Sequence, residues 1–112
     1  MRKKDFKGKC FKQTLPKCKG ICKTYDDIQT TYAIILSERE DISEIRCNVV
    51  LDNFELGNYM SDFVCTKTNG ELLVRECISK HHIGKPMTVK LLDASKTYWE
   101  RRSADWGLVI NE

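Results

Sequence analysis

Apolar residues recur along this chain with two different periods, and the alternation between them sets out its elements. From Thr24 to about Arg39, Ile28, Tyr32, Ile35 and Leu36 fall on one face at helical spacing, with Thr30, Thr31 and Ser37 elsewhere. Thr24-Tyr25-Asp26-Asp27 reads as a capping box, with Thr24 as N-cap and the acids at the positive end of the helix dipole. Period two takes over from Ile42 to Leu51, where Ile45, Cys47 and Val49 alternate with Arg46 and Asn48, and Val50 and Leu51 join the apolar set. Tyr59–Thr66 predicts a second strand and Thr68-Asn69-Gly70 a hairpin turn. Glu71–Ile78 predicts a third strand, apolar on both faces and therefore central in its sheet. Gly84-Lys85-Pro86 opens a second long helix whose face is Met87, Leu91, Ala94 and Tyr98, widened by Leu92 and Trp99. Arg101 and Arg102 suit its last turn, and Trp106–Ile110 predicts a short final strand. The expected architecture is α/β, a small mixed sheet of three or four strands flanked by two helices.

Residues 1–23 fit neither period. Gly8, Pro16 and Gly20 punctuate them, and an extended or locally ordered segment is expected. Charge sets this segment apart. Arg2, Lys3, Lys4, Lys7, Lys9, Lys12, Lys17, Lys19 and Lys23 face a single acid, Asp5, giving a local charge of +8. The other 89 residues hold ten cations and fifteen acids, giving −5. The chain accordingly divides into a basic N-terminal arm, 1–23, and a body, 24–112. Arg2, Lys3, Lys4, Lys7, Lys9 and Lys12 are the candidate nucleic-acid contacts, with DNA the expected anion; a merely solubilising terminus is the plainer alternative. At 112 residues, 41% hydrophobic and 31% charged, the composition is that of one globular domain. No apolar run is long enough for a membrane helix, and the charged start lacks the apolar stretch of a secretory signal. A cytoplasmic protein without membrane contact is expected.

Six cysteines stand at positions 10, 18, 22, 47, 65 and 77. In a reducing compartment they are read as thiols rather than a disulfide framework. Cys47, Cys65 and Cys77 lie among strand residues, as small buried hydrophobes do. Cys10, Cys18 and Cys22, with His81 or His82, are the candidate zinc ligands; their spacing is not C-x2-C, and ordinary thiols are the favoured reading.

The remaining chemistry lies in carboxylates. Asp62 stands early in the second strand and Glu76 in the third, and two acids on neighbouring strands can bind Mg²⁺ or Mn²⁺ and neutralise a phosphate under attack. A buried Glu76 requires a metal or a partner, for which Arg75 or a helix lysine is the structural candidate. Thr24-x-x-Asp27, Met60-Ser61-Asp62-Phe63-Val64, the Asn69-Gly70 hairpin, Glu76-Cys77-Ile78 and the helix from Lys90 to Trp99 follow in order. This succession over about residues 24–110 resembles the PD-(D/E)xK nucleases, and most of all the N-terminal catalytic domain of TnsA-type transposon endonucleases. The resemblance implies a restriction-endonuclease-like fold and a DNA-associated protein of a mobile element or phage. It also implies Mg²⁺ or Mn²⁺ held by Asp62 and Glu76, with Asp27 assisting, and a transposase-type or host protein partner.

The chain departs from that pattern where it matters. Ile78 occupies the motif's lysine position, which would orient the attacking water and stabilise transition-state charge. Lys80 lies on the side of Glu76 if the strand continues, and Lys90 on the next helix is a second substitute. Ser61 replaces the motif proline, and Asp27 is a methylene shorter than the motif's glutamate. Two further readings therefore stand beside the nuclease. One is a catalytically inactive nuclease-fold protein that binds nucleic acid or inhibits a host nucleic-acid-handling complex. The other is a protein-interaction module whose acidic body meets a basic partner.

Overall fold

The computed structural model describes residues 11–110. Two short strands, β1 (Phe11–Gln13) and β2 (Cys22–Thr24), come first, followed by helix α1 (Asp27–Glu38). Strands β3 (Ile42–Val50), β4 (Met60–Lys67) and β5 (Leu72–Ile78), helix α2 (Pro86–Glu100) and strand β6 (Asp105–Ile110) follow. The main sheet runs β3-β4-β5-β6, antiparallel through its first three strands and parallel between β5 and β6. β1 and β2 pair antiparallel in a separate two-stranded sheet. The described residues are therefore α/β, with a mixed four-stranded sheet, a small hairpin and two helices.

Each central strand is buried on both faces, so its apolar residues alternate between two cores. Ala33 and Leu36 of α1 meet Ile45, Phe63, Cys65, Leu73 and Cys77 in one. Leu91, Ala94 and Trp99 of α2 meet Val64, Val74, Phe54 and Tyr59 in the other. Removing the leucine, isoleucine, valine and phenylalanine side chains among them from water contributes roughly 1.5–3 kcal/mol each. The parallel β5–β6 pairing requires a crossover, which α2 supplies. Gly70 takes the left-handed φ of +91° that the β4–β5 turn demands. A Cβ on Gly107 would lie 3.1 Å from Cζ of Arg75, so glycine there lets the guanidinium cross β6 and reach Asp105.

Several expectations shift. The N-cap of α1 is Asp26, whose carboxylate accepts from the Gln29 N–H at 2.8 Å, and not Thr24. The helix consequently buries Gln29, Ala33 and Leu36, while Ile35 is 46% exposed. Met87 is 62% exposed, because α2 turns Thr88, Leu91, Leu92, Ser95 and Trp99 inward. Val50 is exposed at the end of β3. Helix α2 stops at Glu100, so Arg101 is its C-cap and Arg102 lies beyond, with its guanidinium 3.5 Å above the Tyr98 ring. Residues 11–24 are stitched to the body: Ile45 N–H donates to Lys17 O, Lys19 N–H to Ile45 O, and the Asn48 side chain to Lys23 O. No helix among the described residues is long and apolar enough to cross a membrane.

Candidate functional site

Pairing between β4 and β5 runs from Thr66↔Leu72 to Phe63↔Arg75 and stops there. Beyond that point Met60 and Ser61 remain paired with β3, while Glu76, Cys77 and Ile78 pair with β6. The two central strands thus part in a fork, and buried backbone N–H groups at a fork need other acceptors. Asp62 and Glu76 supply them reciprocally. The Cys77 N–H donates to Asp62 Oδ2 at 2.7 Å, and the Asp62 N–H donates to Glu76 Oε1 at 3.2 Å.

The other two carboxylate oxygens face the helices. Gln29 Nε2 of α1 donates to Asp62 Oδ1 at 3.3 Å, and Ser95 Oγ of α2 donates to Glu76 Oε2 at 2.8 Å. Ser95 Oγ in turn accepts from Trp106 Nε1 at 3.2 Å, and Gln29 Oε1 accepts from the Tyr25 N–H at 2.8 Å. Beside this chain, Trp99 Nε1 donates to Ser61 Oγ at 2.9 Å. A continuous polar network thereby links the start of α1, both arms of the fork, α2 and β6. Asp62 is 2% exposed and Glu76 0%.

The acids expected from the sequence are therefore together, but in a closed setting. Mg²⁺ usually keeps several of its waters when bound. Asp62 and Glu76 offer such an ion no open face, and all four of their oxygens already accept protein hydrogen bonds. The pair as arranged does not fit a hydrated Mg²⁺ or Mn²⁺. Ile78, which the resemblance would set at a lysine position, is buried. β5 ends at Ile78, so the alternation that would align Lys80 with Glu76 stops before reaching it; Lys80 lies exposed in the following turn. Lys90 is exposed on α2. Asp27 is exposed in the first turn of α1, where it lines a surface groove with Ile28, Tyr32 and Val109. Arg75 turns to Asp105 at 3.4 Å.

Gln29 holds the place beside Asp62 that the sequence assigned to Asp27. Its signal was legible: Asp26-x-x-Gln29 is itself a capping-box spacing, two residues after the one centred on Thr24. Ser95 carried a weaker one, a small polar residue within the apolar stripe of Leu91, Leu92 and Trp99.

A second cluster lies beneath the hairpin. The sulfurs of Cys18, Cys22 and Cys47 all lie within 4.8 Å of one another, and Cys22 and Cys47 approach to 2.7 Å. The Cys47 contact holds the Cys22 thiol below its ordinary pKa and raises that of Cys47, whereas burial pushes Cys18 up to about 11. Neither His81 nor His82 belongs to this group, and both are exposed after β5. Cys10 lies outside the described residues, as do Arg2, Lys3, Lys4, Lys7 and Lys9. Lys12 is present on β1, paired directly with Lys23 of β2, and both are exposed. No protein-family model matches this chain, and no curated protein matches it.

Proposed function

We propose that this chain is a nucleic-acid-binding protein on a restriction-endonuclease-like, TnsA-like scaffold, and that its carboxylate pair holds the fold together instead of hydrolysing DNA. Support for the scaffold comes from the element order α1-β3-β4-β5-α2-β6 and from Asp62 and Glu76 meeting at the strand fork. The observation that carries the loss of chemistry is the closure of that fork, with every carboxylate oxygen hydrogen-bonded and isoleucine at the cation position.

Binding falls to the basic N-terminal residues. Lys12 and Lys23 are register partners across a short hairpin, and like charges directly opposite one another destabilise a strand pair. A bound phosphate backbone would relieve that repulsion. It would also match the +8 charge of residues 1–23 without reading base sequence. On this reading the protein associates with DNA of a mobile element or phage, and a transposase-type or host protein supplies targeting.

Fluorescence anisotropy with duplex DNA across a salt series tests this, with plasmid cleavage in Mg²⁺ and Mn²⁺ followed in parallel. Contact with about six phosphates gives a log–log slope near −5, and the Lys12→Ala/Lys23→Ala double variant should reduce its magnitude by about 2. No cleavage is expected. Absence of DNA binding at low salt would reject the binding role; cleavage lost in Glu76→Gln would reject the structural role of the fork.

A further inference from the structure

We infer that Cys18, Cys22 and Cys47 form a zinc site that ties the N-terminal hairpin to the main sheet. Three elements bring the sulfurs together. Cys18 sits in the turn closed by its N–H donating to Leu15 O, and a parallel bridge aligns it with Ile45. Cys47 stands two residues further along β3 on the same side as Ile45, and Cys22 opens β2. Cys18-x3-Cys22 falls within the two-to-four-residue spacing common among zinc ligands, and Cys47 supplies the distant third.

The distances suit the ion. Zinc–thiolate bonds of about 2.3 Å in tetrahedral geometry set sulfurs roughly 3.8 Å apart. The three sulfurs here already lie within 4.8 Å, so adjustments of side-chain torsions complete the triangle. A disulfide between Cys22 and Cys47 would use two of the thiols and leave the convergence of Cys18 without a purpose. Soft thiolate ligands favour zinc over the hard cations that carboxylates prefer. On binding, each thiol that ligates gives its proton to solvent, and the fourth position of the tetrahedron is left to water or an added ligand. The consequence is mechanical: Lys12 and Lys23 lie on the hairpin that begins at Phe11 and ends at Thr24, so the ion fixes their direction relative to the sheet. This inference does not depend on the proposed loss of nuclease chemistry.

The test uses the full chain, purified and kept in a non-thiol reductant. Metal-free protein is titrated with Co²⁺, then with Zn²⁺ in competition, and zinc protection of each cysteine against alkylation is mapped by mass spectrometry. One equivalent of Co²⁺ should give a thiolate-to-metal charge-transfer band with tetrahedral d–d bands, both removed by Zn²⁺. Cys18→Ser, Cys22→Ser and Cys47→Ser should each weaken binding at least about tenfold, whereas Cys65→Ala, outside the cluster, should not. Zinc should protect Cys18, Cys22 and Cys47 in the wild-type chain, which keeps the inference testable if a serine variant fails to fold. It is overturned by the absence of stoichiometric binding, by zinc protection that omits any of the three, or by a Cys22–Cys47 disulfide persisting in the reductant.

Discussion

Removing the Asp62 side chain separates the two roles its carboxylate can have. Asp62→Ala leaves two buried donors, the Cys77 N–H and Gln29 Nε2, without the acceptors they now use. The bond from Cys77 is short, at 2.7 Å, and runs to a carboxylate, so its loss stands near the upper end of the roughly 1–3 kcal/mol for an unsatisfied buried donor. The Gln29 bond is long, at 3.3 Å, and belongs near about 1 kcal/mol. A destabilisation of about 3–4 kcal/mol follows, a large part of the 5–15 kcal/mol typical of a domain.

The companion variant, Glu76→Gln, should cost about 1 kcal/mol or less. Its amide oxygen still accepts from the Asp62 N–H, and its NH₂ donates to Ser95 Oγ once that hydroxyl turns away. Glu76→Ala should cost several times more. Urea unfolding followed by circular dichroism measures all three, with an unchanged m-value showing that stability alone has moved. Catalytic carboxylates are commonly held at the expense of stability, so their removal tends to leave a protein as stable or more so. A midpoint for Asp62→Ala equal to or above that of the wild type would refute the fork-closing role.

Three other outcomes are expected. Asp26→Ala should cost about 1 kcal/mol of thermal stability as an N-cap, while Asp27→Ala, exposed at the first helical position, should stay within about 0.5 kcal/mol; equal effects would contradict the cap register. Trp99→Phe removes the donor to Ser61 Oγ and should lower stability by about 2 kcal/mol in urea unfolding, the lost volume included. Burial pushes the Cys65 thiol up to about 12, above its unfolded value near 9. Its contribution is therefore full below about pH 9 and lost as pH rises towards 12, at no more than about 1.4 kcal/mol per pH unit, and Cys65→Ala should flatten the fall in urea midpoint over that window.

What the sequence made legible was local. A period-two run located β3, the Asn69-Gly70 turn set β4 and β5 on either side of it, and proline at the first position of α2 located that helix, because each signal is complete within a few residues. The errors arose where two local signals competed or where the decision was tertiary. Thr24 and Asp26 both head a capping box, and the choice between them fell to the buried side of α1. With Asp26 as cap, Gln29 reaches Asp62, and Thr24 is left buried with its hydroxyl 2.7 Å from that of Thr30. Met87 has helical spacing to Leu91, yet α2 turns Thr88 and Ser95 inward with Leu91, Leu92 and Trp99, and Ser95 meets Glu76 there. Of the thiol cluster, Cys18 and Cys22 were legible as a pair, but Cys47 stands 29 and 25 positions away from them, beyond the reach of any spacing rule.

The fork explains why those tertiary choices belong together. Where two central strands part, each loses ladder partners, and a carboxylate from the opposite strand is a compact acceptor for the stranded N–H. Two such carboxylates still have one oxygen each to satisfy. Left open to solvent, those oxygens would be available to a cation and the water it carries. Here Gln29 and Ser95 cover them from opposite faces of the sheet, and each is fixed by a further bond, Gln29 from the Tyr25 N–H and Ser95 from the Trp106 indole. The same strand geometry is thus compatible with a metal centre or with a closed structural junction. The difference lies in a glutamine at the third position of α1 and a serine on the inner face of α2, which here cover the two remaining oxygens.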